Sequence, residues 1–241
     1  MSKHHLLASF INKSDRMVYK WIDYFEVYEK AFSAYKNKPI TFLEIGIQNG
    51  GSLQMWREFF GPEAKIIGID VDPKCKALEA EGFEIWIGNQ ADPNFWAEFK
   101  LKHPSVDLVL DDGGHTMEQQ IVTFESLFPI LSNCGTYVCE DTHTSYFPSH
   151  GGGLKHPGSF HEYVKTIIDE MHAWYYAPLA TIQNSYFANH LYSIAIYDSI
   201  VVMEKRRKNP PITLGRGFEG DVKNPLSMTY LELRHAFGIP D

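Results

Sequence analysis

Short apolar runs alternate with stretches of helical periodicity through the middle of the chain. The apolar runs are rich in β-branched and other large apolar residues, which is typical of buried strands. Strands that alternate with helices indicate βαβ units, so we predict an α/β fold with a doubly wound, mostly parallel sheet. The predicted strands are residues 41–45, 65–69, 83–87, 106–110 and 136–139, and the predicted helices between them lie near 51–60, 74–81, 92–102 and 117–131.

A longer helical pattern precedes the first predicted strand. Residues 17–36 repeat apolar or aromatic side chains at helical spacing, and a helix-breaking Asn-Lys-Pro sequence follows them. We therefore predict an N-terminal helical segment, residues 1–38, that serves as a lid or as an oligomer contact. Tyr24 and Tyr28 fall on one face of this helix, where packing in the core is the expected role.

Two β-rich runs follow the alternating region. Residues 192–197 and 200–204 are separated only by an Asp-Ser pair, which is the spacing of a tight hairpin. One antiparallel strand is therefore expected near the C-terminal end of the sheet. We therefore predict a single domain with its core at residues 39–205 and a C-terminal extension at residues 206–241, which includes one short helix near 226–236.

The composition narrows the class of protein. The chain has 241 residues, a hydrophobic fraction of 44% and a net charge of −8, which fits a packed globular core and argues against a nucleic-acid partner. No apolar run reaches the roughly 18 residues of a transmembrane helix, and the N-terminus lacks a signal-peptide pattern. The three cysteines form no CxxC pair, as expected of reduced thiols, so we predict a cytoplasmic protein without a membrane partner.

The first predicted strand ends in a glycine-rich turn. In TFLEIGIQNGGS, Gly46 and Gly50 allow the backbone to approach a ligand closely, and Glu44 lies at the strand end. The second strand ends at Asp70, whose carboxylate is suited to accept hydrogen bonds from ribose hydroxyl groups. The third strand leads into GNQAD, which adds Gln90 and Asp92 to the same end of the sheet.

These residues discriminate between two nucleoside-containing cofactors. A dinucleotide site favours GxGxxG with the pyrophosphate at a helix N-terminus, whereas this chain has ExGxxxGGS. Glu44 would repel a phosphate group but attract a cationic amino-acid or sulfonium group. S-adenosylmethionine (AdoMet) therefore fits this end of the sheet better than NAD.

The fourth and fifth predicted strands end in carboxylates. VDLVLDDGGH carries Asp111, Asp112 and, after two glycines, His115, while GTYVCED carries Glu140 and Asp141. Neighbouring carboxylates repel each other unless a cation lies between them, and oxygen ligands favour Mg²⁺ or another divalent cation over zinc. A hydroxyl group held by such a cation is more acidic, and His115 is placed to take its proton as a general base.

Several segments together resemble one family. They are LEIGIQNGGSLQMW, GIDVDP, GNQADP, DLVLDDGGHTMEQQ, YVCEDTHTSY and YDSIVVMEK. These segments, which cover about residues 14–204, resemble the class I AdoMet-dependent methyltransferases around the mycinamicin-type sugar O-methyltransferases. The same pattern is shared with cephalosporin hydroxylase-like proteins. The DDGxH…ED pair is the specific part of the resemblance, because ExGxxxG alone is generic.

The resemblance implies a Rossmann-like enzyme that uses AdoMet and Mg²⁺ to methylate a hydroxyl group of a small molecule, a sugar of a glycosylated natural product. By motif, Asp112, Glu140 and Asp141 would bind the metal, and His115 would be the general base. The cofactor site would include Glu44, Gly46, Gly50, Asp70, Gln90 and Asp92, with Asp111 orienting the turn beside it.

Two alternative functions stay open at this point. A metal-dependent hydroxylase is one, although an iron(II) oxygenase prefers two histidines and one carboxylate. A non-catalytic AdoMet-binding protein is the other, and an intact His115 beside complete carboxylates argues against it. The sequence identifies neither the acceptor nor the oligomeric state, so a homo-oligomer is left open.

Overall fold

The computed structural model describes residues 5–12, 16–209 and 211 and contains one seven-stranded sheet. The strands are β1 (Thr41–Ile45), β2 (Lys65–Asp70), β3 (Glu84–Ile87), β4 (Val106–Asp111), β5 (Leu131–Cys139), β6 (Leu191–Tyr197) and β7 (Ile200–Lys205). Their order across the sheet is β3-β2-β1-β4-β5-β7-β6. Strands β1 to β5 are parallel, and β7 pairs antiparallel with both β5 and β6. The predicted α/β fold with one reversed strand near its C-terminal end is therefore confirmed.

Helices connect the parallel strands, and further helices precede and follow them. The α-helices of the described residues are α1 (His5–Asn12), α2 (Tyr24–Phe32), α3 (Gly51–Phe60), α4 (Pro93–Lys102), α5 (Met117–Leu127), α6 (Phe160–Met171), α7 (Leu179–Asn184) and α8 (Tyr186–His190). The predicted helix near 74–81 is a 3₁₀ helix, Pro73–Glu81. Helix α5 ends before the predicted boundary, and the remaining residues up to Ile130 form a 3₁₀ helix, Phe128–Ile130.

The helix predicted over residues 17–36 is wrong in its first half. Residues 16–23 form no helix, and α2 begins only at Tyr24. Trp21 and Ile22 are 52% and 69% exposed, so the apolar spacing does not mark a buried helical face. The Lys20 side chain points inward instead and is 2% exposed. This segment has irregular backbone and crosses the end of the sheet.

The carboxyl ends of the central strands meet at one edge of the sheet. Ile45 of β1 pairs with Ile69 of β2 on one side and with Asp111 of β4 on the other, and Asp111 pairs with Cys139 of β5. The loops that follow these strands therefore begin at the same level. Ligands of doubly wound sheets bind at this edge, and the predicted site residues lie in these loops.

Large apolar side chains cover both faces of the sheet. One cluster includes Leu6 of α1, Phe32 of α2 and Trp56 of α3, so the N-terminal helices share a core with the sheet. The other cluster includes Trp96 of α4 and Phe124 of α5. Burying one such side chain stabilises the fold by about 2 kcal/mol, so both helical layers hold the sheet in place.

The C-terminal extension is described only in its first residues. The short helix predicted near 226–236 lies outside the described residues. Within residues 5–12, 16–209 and 211, the structure has no helix with the length and apolar character needed to cross a membrane.

Candidate active site

A cleft of about 190 Å³ opens at the carboxyl ends of the parallel strands. Four of the residues predicted from the sequence line it: Gly46, Asp70, Gln90 and Asp112. The remaining lining residues are small or apolar, or carry an amide: Ile45, Gln48, Ile69, Val71, Gly88, Gly113, Gly114 and Gln119. Its place at the strand ends makes this cleft the candidate site for a nucleoside-containing cofactor.

Two glycines shape the first loop beside this cleft. Gly46 has a φ of +85°, and a Cβ atom added there would overlap the carbonyl oxygen of Asp112. Gly50 has a φ of +77° and precedes α3, where a Cβ atom would lie 2.6 Å from the side chain of Leu78. Gly46 needs glycine because the backbone is left-handed and the backbone of Asp112 approaches closely, whereas at Gly50 the left-handed backbone is the main reason, since the Leu78 side chain can shift.

Asp70 holds the first loop from the end of β2. Its Oδ2 atom accepts hydrogen bonds from the backbone N–H groups of Ile47 and Gln48, at 3.1 and 2.8 Å. Its Oδ1 atom accepts from the N–H group of Asp72 at 2.9 Å. The Asp70 carboxylate therefore fixes the loop that carries the two glycines and also lines the cleft.

Gln90 and Asp111 hold the turn after β4. The Nε2 atom of Gln90 donates to Oδ1 of Asp111 at 2.8 Å, and its Oε1 atom accepts from the N–H group of Gly114 at 2.9 Å. Tyr137 donates to the other Asp111 oxygen at 3.0 Å. Burial raises the pKa of Asp111 to about 7, although the Gln90 and Tyr137 hydrogen bonds oppose that rise. Asp111 thus lies beneath the turn and does not line the cleft.

Besides Gly50 and Asp111, two further residues predicted for cofactor binding, Asp92 and Glu44, are not part of the cleft lining. Asp92 caps the N-terminus of α4, where its side chain accepts from the N–H group of Asn94 at 2.9 Å. Glu44 is fully buried and accepts hydrogen bonds from Ser52 and Trp56 at 2.8 and 3.2 Å. Burial raises the pKa of Glu44 to about 7. Cofactor contacts of both residues stay predictions.

The loops after β4 and β5 bring two of the three predicted metal ligands, Asp112 and Asp141, together with His115. We call Asp112, Glu140 and Asp141 the carboxylate cluster. Asp112, His115 and Asp141 each offer one ligand atom within 4.8 Å of the others. Glu140 is 1% exposed and lies deeper in the protein. The ends of β4 and β5 and the His115 side chain therefore lie around one common position.

His115 faces the carboxylate cluster through its Nε2 atom. This atom lies 3.4 Å from Oδ2 of Asp141 and 3.9 Å from Oδ1 of Asp112. The His115 backbone has a φ of +58°, and its carbonyl accepts a hydrogen bond from Thr144 at 2.9 Å. Burial lowers the pKa of His115 below the ordinary histidine value. The imidazole ring is therefore neutral at neutral pH and can accept a proton.

Helix α5 starts directly after this turn and holds the C-terminal end of the turn in place. Thr116 and Gln119 form a capping box, in which each side chain bonds to the backbone of the other residue. Such a cap satisfies N–H groups that the first helical turn leaves without partners. His115 is thereby held between the strand end and a rigid helix N-terminus.

Three residues of the N-terminal segment join the carboxylate cluster. The Lys20 ammonium lies 2.5 Å from Oδ2 of Asp112 and 3.0 Å from Oε2 of Glu140. The Tyr28 hydroxyl donates to Oε1 of Glu140, and the Tyr24 hydroxyl donates to Oδ1 of Asp141 at 2.6 Å. Sequence reasoning expected the two tyrosines to pack in the core, with a lid over the cofactor as the alternative, and did not select Lys20.

A signal for the tyrosines was present, but none for the lysine. Tyr24 and Tyr28 are four residues apart and therefore share one face of a helix. From that face, both hydroxyl groups could donate hydrogen bonds to neighbouring carboxylates. Lys20 lies in a segment whose apolar spacing suggested a helix, and nothing in that pattern marks its side chain as buried. Only the tertiary structure shows that Lys20 reaches the strand ends.

The charges in this region depend on one another. Burial alone would lower the pKa of Lys20, but Asp112, Glu140 and Glu44 around its ammonium keep that pKa above the ordinary lysine value. Burial and the charge of Asp112 raise the pKa of Glu140, whereas Lys20 and Tyr28 oppose the rise. Lys20 is therefore the cation that compensates these buried acids within the described residues.

An aromatic surface lies beside the carboxylate cluster. The ring of Trp21 stacks on His143 with their centroids 4.9 Å apart, and Phe147 packs edge-on against the same histidine at 5.3 Å. The His143 Nδ1 atom lies 2.5 Å from the hydroxyl oxygen of Ser199 and 3.9 Å from Oδ1 of Asp141. We call Trp21, His143 and Phe147 the aromatic rim.

The donor atoms present suit a divalent cation that prefers oxygen. Mg²⁺ is commonly held by one or two carboxylates and keeps positions for other oxygen ligands. Asp112 and Asp141 fit that description, because both are partly exposed and lie together. Glu140 fits it only after a change of partners, since Lys20 and Tyr28 occupy its oxygens.

Known proteins with similar sequences identify the relatives of this chain. No protein-family model matches the chain. A tetracenomycin-C rhamnosyl 3'-O-methyltransferase of Streptomyces olivaceus is 31% identical over 199 residues, which are 78% of this chain and 50% of that enzyme. Demethylmacrocin O-methyltransferase of Streptomyces fradiae is also 31% identical, over 74% of this chain and 47% of that enzyme. The chain is a homologue of the sugar O-methyltransferases.

A solved structure of a sugar O-methyltransferase homologue agrees with this assignment. The MycE methyltransferase of mycinamycin biosynthesis, in a complex with Mg, SAH and mycinamycin VI, superposes with a TM-score of 0.72 at 26% identity. The match covers 85% of this chain and 53% of MycE. The resemblance to sugar O-methyltransferases predicted from the motifs is thus confirmed. The chain spans about half the length of the curated relatives it matches.

Proposed function

We propose that this protein is an AdoMet-dependent, divalent-cation-dependent O-methyltransferase that acts on a sugar hydroxyl group of a glycosylated natural product. One observation carries the proposal: a neutral His115 faces Asp112 and Asp141 beside a cleft at the carboxyl ends of the parallel strands. This arrangement supports a base, a cation site and a methyl-donor site within one group of loops.

The cofactor end of the site is held by backbone and amide groups. Gly46 and the loop fixed by Asp70 leave room for the adenosine part of AdoMet, and Asp70 is the proposed acceptor for ribose hydroxyl groups. Gln90 holds the turn that closes the opposite wall. Glu44 and Asp92 support the loops on either side, as N–H and hydroxyl acceptors.

The proposed reaction transfers one methyl group and one proton. The acceptor oxygen forms a new O–CH₃ bond while the S–CH₃ bond of AdoMet breaks, and the hydroxyl proton goes to Nε2 of His115. Asp141 lies 3.4 Å from that nitrogen and stabilises the imidazolium that results. Holding both reactants in line supplies much of the rate, because a bimolecular step becomes unimolecular.

Asp112 and Asp141 would hold a divalent cation, with Glu140 joining them if Lys20 moves away. Bound there, such a cation supplies Lewis acidity toward a sugar hydroxyl group. The donor set disfavours an iron(II) oxygenase, which takes two histidines and one carboxylate. The candidate cluster of the described residues contains one histidine and two carboxylates instead.

The acceptor class rests on the relatives and on the aromatic rim. The relatives are named for methylation of a rhamnosyl tetracenomycin-C, of L-olivosyl-oleandolide and of demethylmacrocin, and MycE has been solved with mycinamycin VI. Trp21 and Phe147 are 52% and 44% exposed beside the carboxylate cluster. Such rings offer apolar faces to a sugar while the carboxylates meet its hydroxyl groups.

Calorimetry followed by mass spectrometry tests the proposal. AdoMet should bind, a panel of glycosylated macrolides and tetracenomycins should yield a product heavier by one methyl group, and EDTA should abolish turnover until Mg²⁺ is added back. AdoMet binding without any methylated product would favour the non-catalytic alternative. Full turnover after thorough chelation would remove the cation from the mechanism.

A further inference from the structure

The ammonium group of Lys20 occupies the position where the carboxylates converge. It lies 2.5 Å from Oδ2 of Asp112, 3.0 and 3.2 Å from the two oxygens of Glu140, and 3.9 Å from Oε1 of Glu44. The Lys20 side chain is 2% exposed. A buried ammonium is costly unless it is paired and hydrogen-bonded, and here three acids compensate it.

Lys20 reaches this position from an irregular segment and not from a packed helix. Its neighbours Tyr19 and Trp21 are 75% and 52% exposed, so the surrounding side chains do not pull the segment inward. Arg16 anchors the start of the segment through a hydrogen bond to the carbonyl oxygen of Asn49 at 3.1 Å. The inward direction of Lys20 is therefore best explained by the charges that it meets.

A divalent cation needs the same acids. Asp112 is a proposed ligand of that cation and Glu140 joins it only when Lys20 moves away, because Lys20 takes one oxygen of Asp112 and both oxygens of Glu140. Two cations that share buried carboxylates repel each other strongly, because little solvent separates them. Both cannot be held by Asp112 and Glu140 at full strength.

We propose that Lys20 is an internal cation of the carboxylate cluster, which it neutralises in the metal-free protein and which it must leave when a divalent cation binds to Asp112 and Glu140. This inference rests on the proposed function, since the competing cation is the one that methyl transfer would use. The apparent cation affinity is then reduced by the fraction of molecules in which Lys20 holds the acids.

Titration calorimetry with Mg²⁺ and with Mn²⁺ tests the competition directly. Lys20→Met keeps an unbranched side chain, one atom shorter than lysine, and removes its charge, so it should bind either cation at least tenfold more tightly than the parent protein. Lys38→Met is the matched control, because it removes the same charge from an exposed position before β1. Equal affinity in Lys20→Met and the parent, or weaker affinity in the variant, would overturn the proposal.

Thermal unfolding provides a second measurement that does not depend on catalysis. In EDTA, Lys20→Met should melt below the parent because its buried acids lack a cation, and Mg²⁺ should raise its melting temperature more than that of the parent. If Lys20→Met does not fold in EDTA, Lys20→Gln takes its place, since an amide still donates hydrogen bonds. Failure of both variants to fold even with Mg²⁺ would overturn the exchange of Lys20 for a cation.

AdoMet binding separates this proposal from the function on which it rests. A parent protein that binds AdoMet and Mg²⁺, with Lys20→Met showing the same Mg²⁺ affinity, contradicts only the role of Lys20. A protein that binds AdoMet while neither form binds Mg²⁺ or Mn²⁺ contradicts both the competition and the cation requirement.

Discussion

The candidate site has two ends that are built in different ways. At the β1–β2 end, most contacts involve backbone groups. Asp70 accepts hydrogen bonds from three backbone N–H groups, and Gly46 allows two loops to come into contact. At the β4–β5 end, the carboxylate cluster takes its partners from the distant N-terminal segment, where Lys20 and Tyr28 meet Glu140.

This difference separates a fixed part of the site from an exchangeable one. The Asp70 hydrogen bonds join positions at most 23 residues apart, whereas Lys20 and Glu140 are 120 residues apart, and the entropy cost of bringing two positions together grows with their separation. Side-chain partners from a distant segment can be replaced by another ligand of the right charge. The cofactor end should therefore keep its shape in every state, whereas the carboxylate cluster should change partners.

The largest expected effect comes from removing the base at the β4–β5 end. His115→Ala should lower kcat by about 10²–10⁴-fold, the usual contribution of a general base. AdoMet affinity should stay within twofold, because the cofactor end does not depend on His115. Initial rates and calorimetry on one preparation measure both quantities.

Two further variants keep this result interpretable. Because His115 has a φ of +58°, alanine there adds backbone strain, whereas His115→Asn tolerates that conformation and should lose a similar amount of kcat. His172→Ala, at an exposed residue after α6, should retain parental kcat. Normal turnover in His115→Asn would show that the base lies elsewhere.

The pH profile of the parent protein gives a related prediction. Burial lowers the pKa of His115 below 6.5, and only the neutral ring accepts a proton. Lowering the pH through that pKa protonates the base, so kcat should fall on the acidic side and reach half its value below pH 6.5. An acidic limb centred above pH 6.5 would contradict the desolvated environment of the ring.

A glycine pair tests whether the cofactor end is fixed by close approach. Gly46→Ala should lower the free energy of unfolding by about 3 kcal/mol, since strain at positive φ adds to overlap with the Asp112 carbonyl. Gly82→Ala is the matched control, because its φ of +86° is similar but nothing lies within 4 Å of the added Cβ.

Only conformational strain acts at Gly82, so its substitution should cost about 1 kcal/mol. Urea unfolding of the three proteins measures the difference. Equal destabilisation by Gly46→Ala and Gly82→Ala would mean that the two loops can separate, and the cofactor end would then be less rigid than the geometry indicates.

Asp70 is the next residue in order of expected effect. Asp70→Ala should weaken AdoMet binding more than tenfold, because it removes the proposed ribose acceptor and frees the N–H groups of Ile47 and Gln48. Asp72→Ala, which removes only the cap of the adjacent 3₁₀ helix, should stay within twofold of the parent. Calorimetric titration measures both. An Asp70→Ala affinity within twofold of the parent would leave Asp70 as a loop anchor alone.

Sequence reasoning worked best where the information is local. Strand ends and their loops are encoded in short motifs, so Gly46, Asp70, Asp112 and Glu140 could be placed at one edge from the βαβ pattern alone. The capping role of Asp92 also depends on near neighbours, but the sequence analysis assigned this residue a cofactor contact and not the cap.

The same reasoning could not find Lys20, because its burial depends on contacts with residues about a hundred positions away. Periodicity describes which face of an element is apolar, and it predicts a helix wherever apolar residues recur at the right spacing. In the irregular segment before α2, Trp21 and Ile22 are exposed and Lys20 is buried, which is the reverse of the expected pattern. Electrostatic pairing across the fold overrides local preference there.

The smallest expected effect concerns the Tyr24 hydroxyl, which donates to Oδ1 of Asp141 at 2.6 Å. Burial and this hydrogen bond hold the pKa of Tyr24 above the ordinary tyrosine value, so the hydroxyl stays protonated and donates. Tyr24→Phe removes one hydrogen bond and should cost about 1 kcal/mol of stability, or about 2–4 °C in melting temperature. Its kcat should fall by less than about tenfold, since Asp141 keeps its contact with His115.

Tyr163→Phe is the control for that prediction, because its hydroxyl donates to Glu125 at 3.0 Å, away from the carboxylate cluster. It should leave kcat unchanged and lower the melting temperature no more than Tyr24→Phe does. If Tyr24→Phe lost as much kcat as His115→Ala, Tyr24 would have to take part in the proton transfer itself. The distant side-chain partners of the carboxylate cluster would then be catalytic residues, and the contrast between a fixed cofactor end and exchangeable partners at the other end would fail.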